Sequence, residues 1–465
     1  VTASLTALTD QANRLKADGK LRAAIEQYRL TVRSFPQSAV ARHNLAAALG
    51  DAGNNQEAET TIRHAMQMGL DAPQSWLVLA RALQAQFRLQ DAKSAFEAVL
   101  QRNPLDLDAH LELSQLIWMQ SGDPVAAAAP IETAMGLNPD VPGYCFVKAR
   151  VLEFTRDAAS AYACLQSGLH RWPHELGLLI PASYAAIAAG AVEEALDLAL
   201  RARQVGPQNR EPVEVLTHAC LAAGKAEQAA DLAASLRASA PDDQHAIALQ
   251  ATAWRVLGDA RYRALYDYET LVGVHDLDTP SGWPTLDRYL FDLAQELSDI
   301  HPYQTHPFGH SVRHGSQLPD VLALATPAIR AFRSAIQGPL DRHVQALGTG
   351  DDPVRRRQTG CWAVGGSWSV WLKPGGFHTD HVHPRGWLSS ACYVAVPASV
   401  GAESQGGWIR FGAPGIATQP RLDAEYAIQP RPGQIVLFPS YVWHGTIPFA
   451  GEEPRLTIAM DFVPA

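Results

Sequence analysis

The sequence predicts an α + β protein of two domains: an N-terminal α-solenoid over residues 1–268 and a jelly-roll β-domain with buttressing helices over 269–465. Three observations predict it. At 465 residues the chain is too long for one hydrophobic core, since cores stop growing near ~250–300 residues. Small residues, glycines and prolines recur at a 34-residue step through the first half. From Gln358 to Phe462 that step gives way to short β-branched and apolar runs punctuated by Gly and Pro, the pattern of strands joined by turns.

The repeat is read from three rows. Prolines fall at Pro36, Pro104, Pro139, Pro173, Pro207 and Pro241, and glycines at Gly19, Gly53, Gly190, Gly224 and Gly258. Alanines fall at Ala24, Ala58, Ala92, Ala127, Ala161, Ala195 and Ala229, with one extra residue before Pro139. Each row has a physical task in a two-helix hairpin. Gly tolerates the left-handed backbone of a tight turn, Ala lets two helices cross closely, and Pro stops the second helix. Seven such units run from about Leu5 to Pro241, with a closing pair around Gln244–Tyr268. This resembles the tetratricopeptide repeat, cleanest in the unit with Trp76, Leu79, Ala80, Leu83, Ala92, Phe96 and Pro104. One unit cannot bury its apolar face alone; stacking gives a continuous core and a concave surface. The resemblance implies a groove for a peptide or protein partner. By phase, Arg42, His43, Asn44, Gln74, His110, His218 and Arg255 are candidates to line it.

Beyond Leu271, LVGVHDLDTP reads as a short strand and turn. Trp283–Ile300 has helical period, with Leu286, Tyr289, Leu290, Leu293 and Leu297 on one face. His301–Gln317, rich in His, Gly and Pro, reads as a loop at the mouth of a site, and Leu318–Leu347 as a further helix. The strand run follows. The net charge of −9 gives no footprint for nucleic acid. No apolar run has spanning length, so no membrane partner is expected. The five cysteines show no C-x-x-C pairing, which favours reduced thiols and a cytoplasmic location.

The stretch GGFHTDHVHPRGWLSSACY (Gly375–Tyr393) concentrates the chemistry. His381 and His383 are two apart, so on a strand they share a face, and Gly375–Gly376 permits a sharp turn before them. The β-branched run Gln434–Pro439 leads to His444, and Arg455 follows eleven residues on in LTIAMDF. Imidazoles from two distant strands with open coordination positions suit a mononuclear non-haem iron site. Arg455 suits an acidic co-substrate gripped by a bidentate fork, and Thr457 shares its face.

This segment resembles the prolyl-4-hydroxylase-like branch of the Fe(II)/2-oxoglutarate dioxygenases. HVHP followed by a Ser and a Tyr, and upstream SVRHGSQLPDVL, are similar to a bacterial and phage family of 2-oxoglutarate–Fe(II) oxygenases. The resemblance covers roughly Thr270–Ala465. It implies a double-stranded β-helix and the use of Fe(II), 2-oxoglutarate and O2 in a hydroxylation. It also implies His381, His383 and His444 as metal ligands, with Arg455, Tyr393, Thr457 and Ser389 toward 2-oxoglutarate. A second register, the literal His-x-Asp of His378 and Asp380, competes for the first two ligand positions. An all-His triad lacks the usual carboxylate, and Asp380 is a candidate to supply charge by holding an imidazole N–H.

The implied activity is a 2-oxoglutarate-dependent hydroxylase acting on a peptide, protein or carrier-bound amino acid docked by the repeats. Its rivals are an inactive repeat scaffold with a degenerate or metal-sensing barrel, and a three-His dioxygenase of cupin type that needs no 2-oxoglutarate. Oligomeric state leaves no signal in the sequence.

Overall fold

A computed structural model describes residues 4–401 and 404–465. The chain divides into two compact units, Val1–Trp118 with Asp123–Val147, and Met119–Gly122 with Lys148–Ala465. The boundary expected at 268/269 lies inside the second unit.

The predicted hairpins are present as successive helix pairs. They are α1 (Leu5–Ala17) and α2 (Leu21–Ser34), α3 (Ala39–Asp51) and α4 (Asn55–Gln67), α5 (Pro73–Ala85) and α6 (Leu89–Arg102), and α7 (Leu107–Ser121) and α8 (Pro124–Leu137). They continue with α9 (Pro142–Thr155) and α10 (Ala158–Arg171), α11 (Leu176–Ala188) and α12 (Val192–Val205), and α13 (Arg210–Ala222) and α14 (Ala226–Ser239). The three rows do what their chemistry requires. The glycine row sits at φ +68 to +82°, where a Cβ would be strained. Every alanine of its row is 0–2 % exposed. Each proline of its row stands two residues beyond a helix end.

The closing pair is α15 (Gln244–Leu257) with the short α16 (Arg261–Leu265), followed by α17 (Tyr268–Leu271). These helices pack into the same body as the strands. Arg255, expected in the repeat groove, instead donates to the carbonyls of Gly412 and Asp423, each at 2.8 Å. Tyr266 donates to Tyr441 O at 3.0 Å, and Tyr441 to Leu265 O at 3.0 Å.

The strands are β1 (Gly273–Asp276), β2 (Val312–Pro319), β3 (Trp362–His378), β4 (Leu388–Ala395), β5 (Ile409–Phe411), β6 (Tyr426–Ile428), β7 (Gln434–Pro439), β8 (His444–Thr446) and β9 (Arg455–Pro464). They form a six-stranded sheet, β1-β7-β4-β9-β3-β2, and a three-stranded sheet, β6-β5-β8. Their pairings are antiparallel, giving the predicted double-stranded β-helix. Helices α18 (Leu286–Asp299) and α19 (Pro327–Leu347) pack apolar faces on the large sheet. Leu290, Leu293, Leu297, Phe332, Ile336 and Leu340 share one core with Ile435, Leu437, Ile458 and Phe462. Among the described residues no helix is long and apolar enough to cross a membrane.

Four local expectations change. Part of the expected loop His301–Gln317 is strand β2, paired with β3. The chain does not turn away at Gly375–Gly376. Strand β3 continues through them, with Gly375 at φ +77° and Gly376 so close to the carbonyls of His314 and Lys373 that a Cβ would sit 2.7 Å from each. His381 and His383 are not on a strand; His381 makes one isolated bridge to His444. Strand β7 ends at Pro439, and His444 opens β8 in the other sheet after a turn.

Candidate metal and co-substrate site

The backbone places the imidazoles first. His381 N donates to His444 O at 2.9 Å and His444 N to His381 O at 3.0 Å, so the two residues face each other as a reciprocal pair. His383 N donates to Ser440 O at 2.9 Å, fixing the third. The ligand-capable atoms of His381, His383 and His444 lie within 4.8 Å of one another.

Hydrogen bonds then set the tautomers. A carbonyl oxygen only accepts, so Nδ1 carries the proton in His381, bonded to Thr379 O at 2.8 Å, and in His444, bonded to Val442 O at 2.9 Å. His383 Nδ1 lies 2.6 Å from Asp461 Oδ1 and donates to that carboxylate. In His381 and His444 the Nε2 atom is therefore left as the acceptor, and that of His381 lies 3.3 Å from Ser311 Oγ. The Nε2 atoms of His381 and His383 are 3.2 Å apart, close enough for one cation to be shared between them. Burial, with His383 beside it, pushes His381 down to about 3. Burial, then His381 and His383, holds His444 well below its ordinary range. Both rings are in the form that ligates metal at neutral pH. The donor set fits a divalent transition ion.

A second feature opens on the same cavity of about 450 Å³. Arg455 is 1 % exposed and has no carboxylate partner among the described residues. Its Nη1 donates to Gly407 O at 2.6 Å, Nη2 lies 3.5 Å from Thr446 Oγ1, and Nε is buried without a partner. The Tyr393 hydroxyl and Thr457 Oγ1 are likewise buried and unpartnered. Tyr393 and Thr457 are register partners on β4 and β9, and the guanidinium lies 5.7 Å from the Tyr393 ring. Burial pushes the Tyr393 phenol up to about 12, so it stays a donor. A buried cation beside two unpartnered hydroxyls makes a cradle suited to an anion.

The remaining sequence candidates fall elsewhere. Asp380 does not hold an imidazole; its carboxylate takes Arg410 Nε at 3.0 Å and Nη2 at 2.5 Å. His378 lines the cavity beside His381, its Nδ1 2.9 Å from Ser311 Oγ. Ser389 is not in the cradle: its hydroxyl donates to Asp461 Oδ1 at 2.7 Å and lies 2.8 Å from Ser440 Oγ, so it holds the aspartate that holds His383. Asp461 is the residue that sequence reasoning missed. Its signal was the alternation of β9, since Arg455, Thr457, Ala459 and Asp461 all line the cavity. From the upstream segment, Gly309, His310, Ser311 and Gln317 line it too.

Fold and site together define a repeat-bearing barrel whose pocket pairs a metal-ligating imidazole cluster with an anion cradle. Comparison with known families agrees. Residues 366–461 match the family model described as "Putative 2OG-Fe(II) oxygenase", and residues 77–142 match a tetratricopeptide repeat model. The chain thus carries a tetratricopeptide repeat region and a C-terminal region that matches the 2OG-Fe(II) oxygenase model, a family that implies Fe(II) and 2-oxoglutarate. Among solved structures, a tetratricopeptide repeat protein from Parabacteroides merdae is 15 % identical, covering 54 % of this chain and 98 % of that one with a TM-score of 0.38. The C-terminal part of a repeat-containing protein from Cytophaga hutchinsonii is 14 % identical, covering 52 % and 98 % with a TM-score of 0.34. No curated protein matches the chain.

Proposed function

We propose that the chain is an Fe(II)- and 2-oxoglutarate-dependent oxygenase that hydroxylates a peptide, protein or carrier-bound amino acid recruited by its repeats. The observation that carries this reading is the meeting, in one cavity, of the His381, His383 and His444 imidazoles and a buried Arg455 without a carboxylate partner among the described residues. His381, His383 and His444 would hold the metal. Asp461, through the His383 N–H, would lend the negative charge that an all-imidazole set lacks. Arg455, Tyr393 and Thr457 would fix the distal carboxylate of 2-oxoglutarate. When bound, Fe(II) with 2-oxoglutarate would supply O2 activation, the oxidative decarboxylation of 2-oxoglutarate to succinate and CO2 taking one oxygen atom into succinate and the other into the substrate.

The remaining chemistry is positioning. The protonated Nδ1 atoms hold the rings in ligating tautomers. The low-polarity wall of Trp368, Val370, Ile409 and Phe438 keeps water from the co-substrate. Gln317, His310 and Arg385, also on the cavity wall, are polar groups that could meet a substrate there.

The scaffold alternative rests on the missing ligand carboxylate. The contact of Asp461 with His383 weakens it, and so does the survival of the whole cradle. The test is aerobic incubation of the full chain with Fe(II), 2-oxoglutarate and a peptide library. Succinate formation together with peptides that gain one oxygen atom is expected. Binding of peptides with no succinate formed, even with metal bound, would select the scaffold.

A further inference from the structure

A second cluster of metal-ligating side chains lies in the last repeats, away from the barrel pocket. Glu214 and His218 are four residues apart on α13 and so share a face. His245 stands in the first turn of α15. The ligand-capable atoms of these three residues lie within 4.8 Å of one another. His245 Nδ1 is 2.8 Å from Glu214 Oε1, and the His218 and His245 rings are 5.3 Å apart, inclined at 67°. The independent observation is His218 itself. It is only 8 % exposed, and its Nε2 is buried with no hydrogen-bond partner, an arrangement that is costly in a folded protein.

We propose that Glu214, His218 and His245 form a second metal site, taking a divalent transition ion of the zinc type and clasping α13 to α15. Two imidazoles and one carboxylate are an established zinc donor set that leaves a fourth position open. Burial, and secondarily His245, pushes His218 down to about 3, so its ring is neutral and offers a lone pair. The competing cation is engaged elsewhere: Arg210 gives Nη2 to Asp243 Oδ2 at 2.5 Å, and its Nε stands off at 3.9 Å from Glu214 Oε2.

The site also touches the wall of the barrel. The His245 ring lies edge-on to Trp443 at 6.2 Å, and the Trp443 indole donates to Thr252 Oγ1 of α15 at 2.9 Å. Trp443 immediately precedes His444. An ion here would stiffen the helix on which that indole is anchored.

The proposal does not depend on the oxygenase reading, and metal counting separates the two. Zn2+ is titrated into the chelator-stripped full chain, with thermal unfolding as a second readout. Two equivalents are expected in the unmodified chain. One is expected in His444→Ala, with the Zn2+-dependent rise in Tm retained, and one in Glu214→Gln, with that rise lost or much reduced. A single equivalent in the unmodified chain that His444→Ala abolishes would overturn the proposal. So would a folded Glu214→Gln chain that keeps two equivalents. If Glu214→Gln fails to fold, His245→Asn, at the less buried edge of the cluster, is titrated in its place and is expected to bind one equivalent; two would again overturn it.

Discussion

Replacing Arg455 with methionine separates a residue kept for a ligand from one kept for the fold. The guanidinium is fully enclosed, bonded to Gly407 O and near Thr446 Oγ1, and faces no carboxylate among the described residues. Taking an ion out of water costs several kcal/mol, and bonds from a charged donor return only ~1.5–3 kcal/mol. Methionine keeps most of the volume and removes both terms. The ligand-free chain is therefore expected to change stability by no more than about 2 kcal/mol, working from the same two terms. The co-substrate would lose a buried charged partner worth ~2–5 kcal/mol, a weakening of roughly 30- to 4,000-fold at 1.4 kcal/mol per decade. The assay is anaerobic calorimetry of 2-oxoglutarate on the Fe(II)-loaded chain, paired with thermal unfolding with and without 2-oxoglutarate. At a hundredfold excess over Kd the unmodified chain gains ~2.7 kcal/mol, and Arg455→Met should gain almost none. A variant that binds 2-oxoglutarate within threefold of the parent, yet is itself destabilised by more than about 4 kcal/mol, the range of a broken buried pair, would refute the reasoning.

Other consequences are narrower. Asp461→Asn should weaken metal binding by ~10–100-fold, whereas Asp380→Asn, which loses only its pair with Arg410, should leave metal affinity nearly unchanged; the reverse order would favour the His378/Asp380 register. Tyr393→Phe removes an unpartnered hydroxyl, so the ligand-free chain should be as stable or slightly more so, while 2-oxoglutarate affinity falls by ~0.5–1.5 kcal/mol, read by the same calorimetry. His343, 3 % exposed, is held at about 3 by burial first and by His275. The unfolded chain then binds the extra proton below the ordinary His range near ~6.5, so this contribution is intact above that pH and is lost as pH falls toward the folded value, at up to ~1.4 kcal/mol per pH unit. Denaturation at pH 7 and pH 5 should show a shallower acid loss in His343→Leu than in the parent.

The repeats were legible because each row answers one backbone or packing demand: φ of +68° or more at the glycines, near-complete burial at the alanines and helix ends before the prolines. Strand β2 was not. Its Gly315 reads as a breaker, yet the backbone of Trp371 approaches so closely that only glycine fits there. The three histidines were legible from spacing, but the reason given for their convergence was not the one found. They converge through the reciprocal bridge of His381 and His444 and the anchor of His383 N on Ser440, rather than along one strand. Asp461 was hidden because its role needs two strands and a loop to meet. The cluster of Glu214, His218 and His245 was not read from the sequence, which offered His218 only as a groove residue; bringing His245 to the other two needs the stacking of the next helix pair.

The most direct test of the central claim is an anaerobic titration of the full chain with Fe(II) and 2-oxoglutarate, followed by visible absorption. The account predicts a weak charge-transfer band that requires both components, is absent in His444→Ala, and needs far more 2-oxoglutarate in Arg455→Met. Stoichiometric Fe(II) binding lost in His444→Ala, with no band at saturating 2-oxoglutarate, would contradict it and leave the pocket as a metal site without a co-substrate.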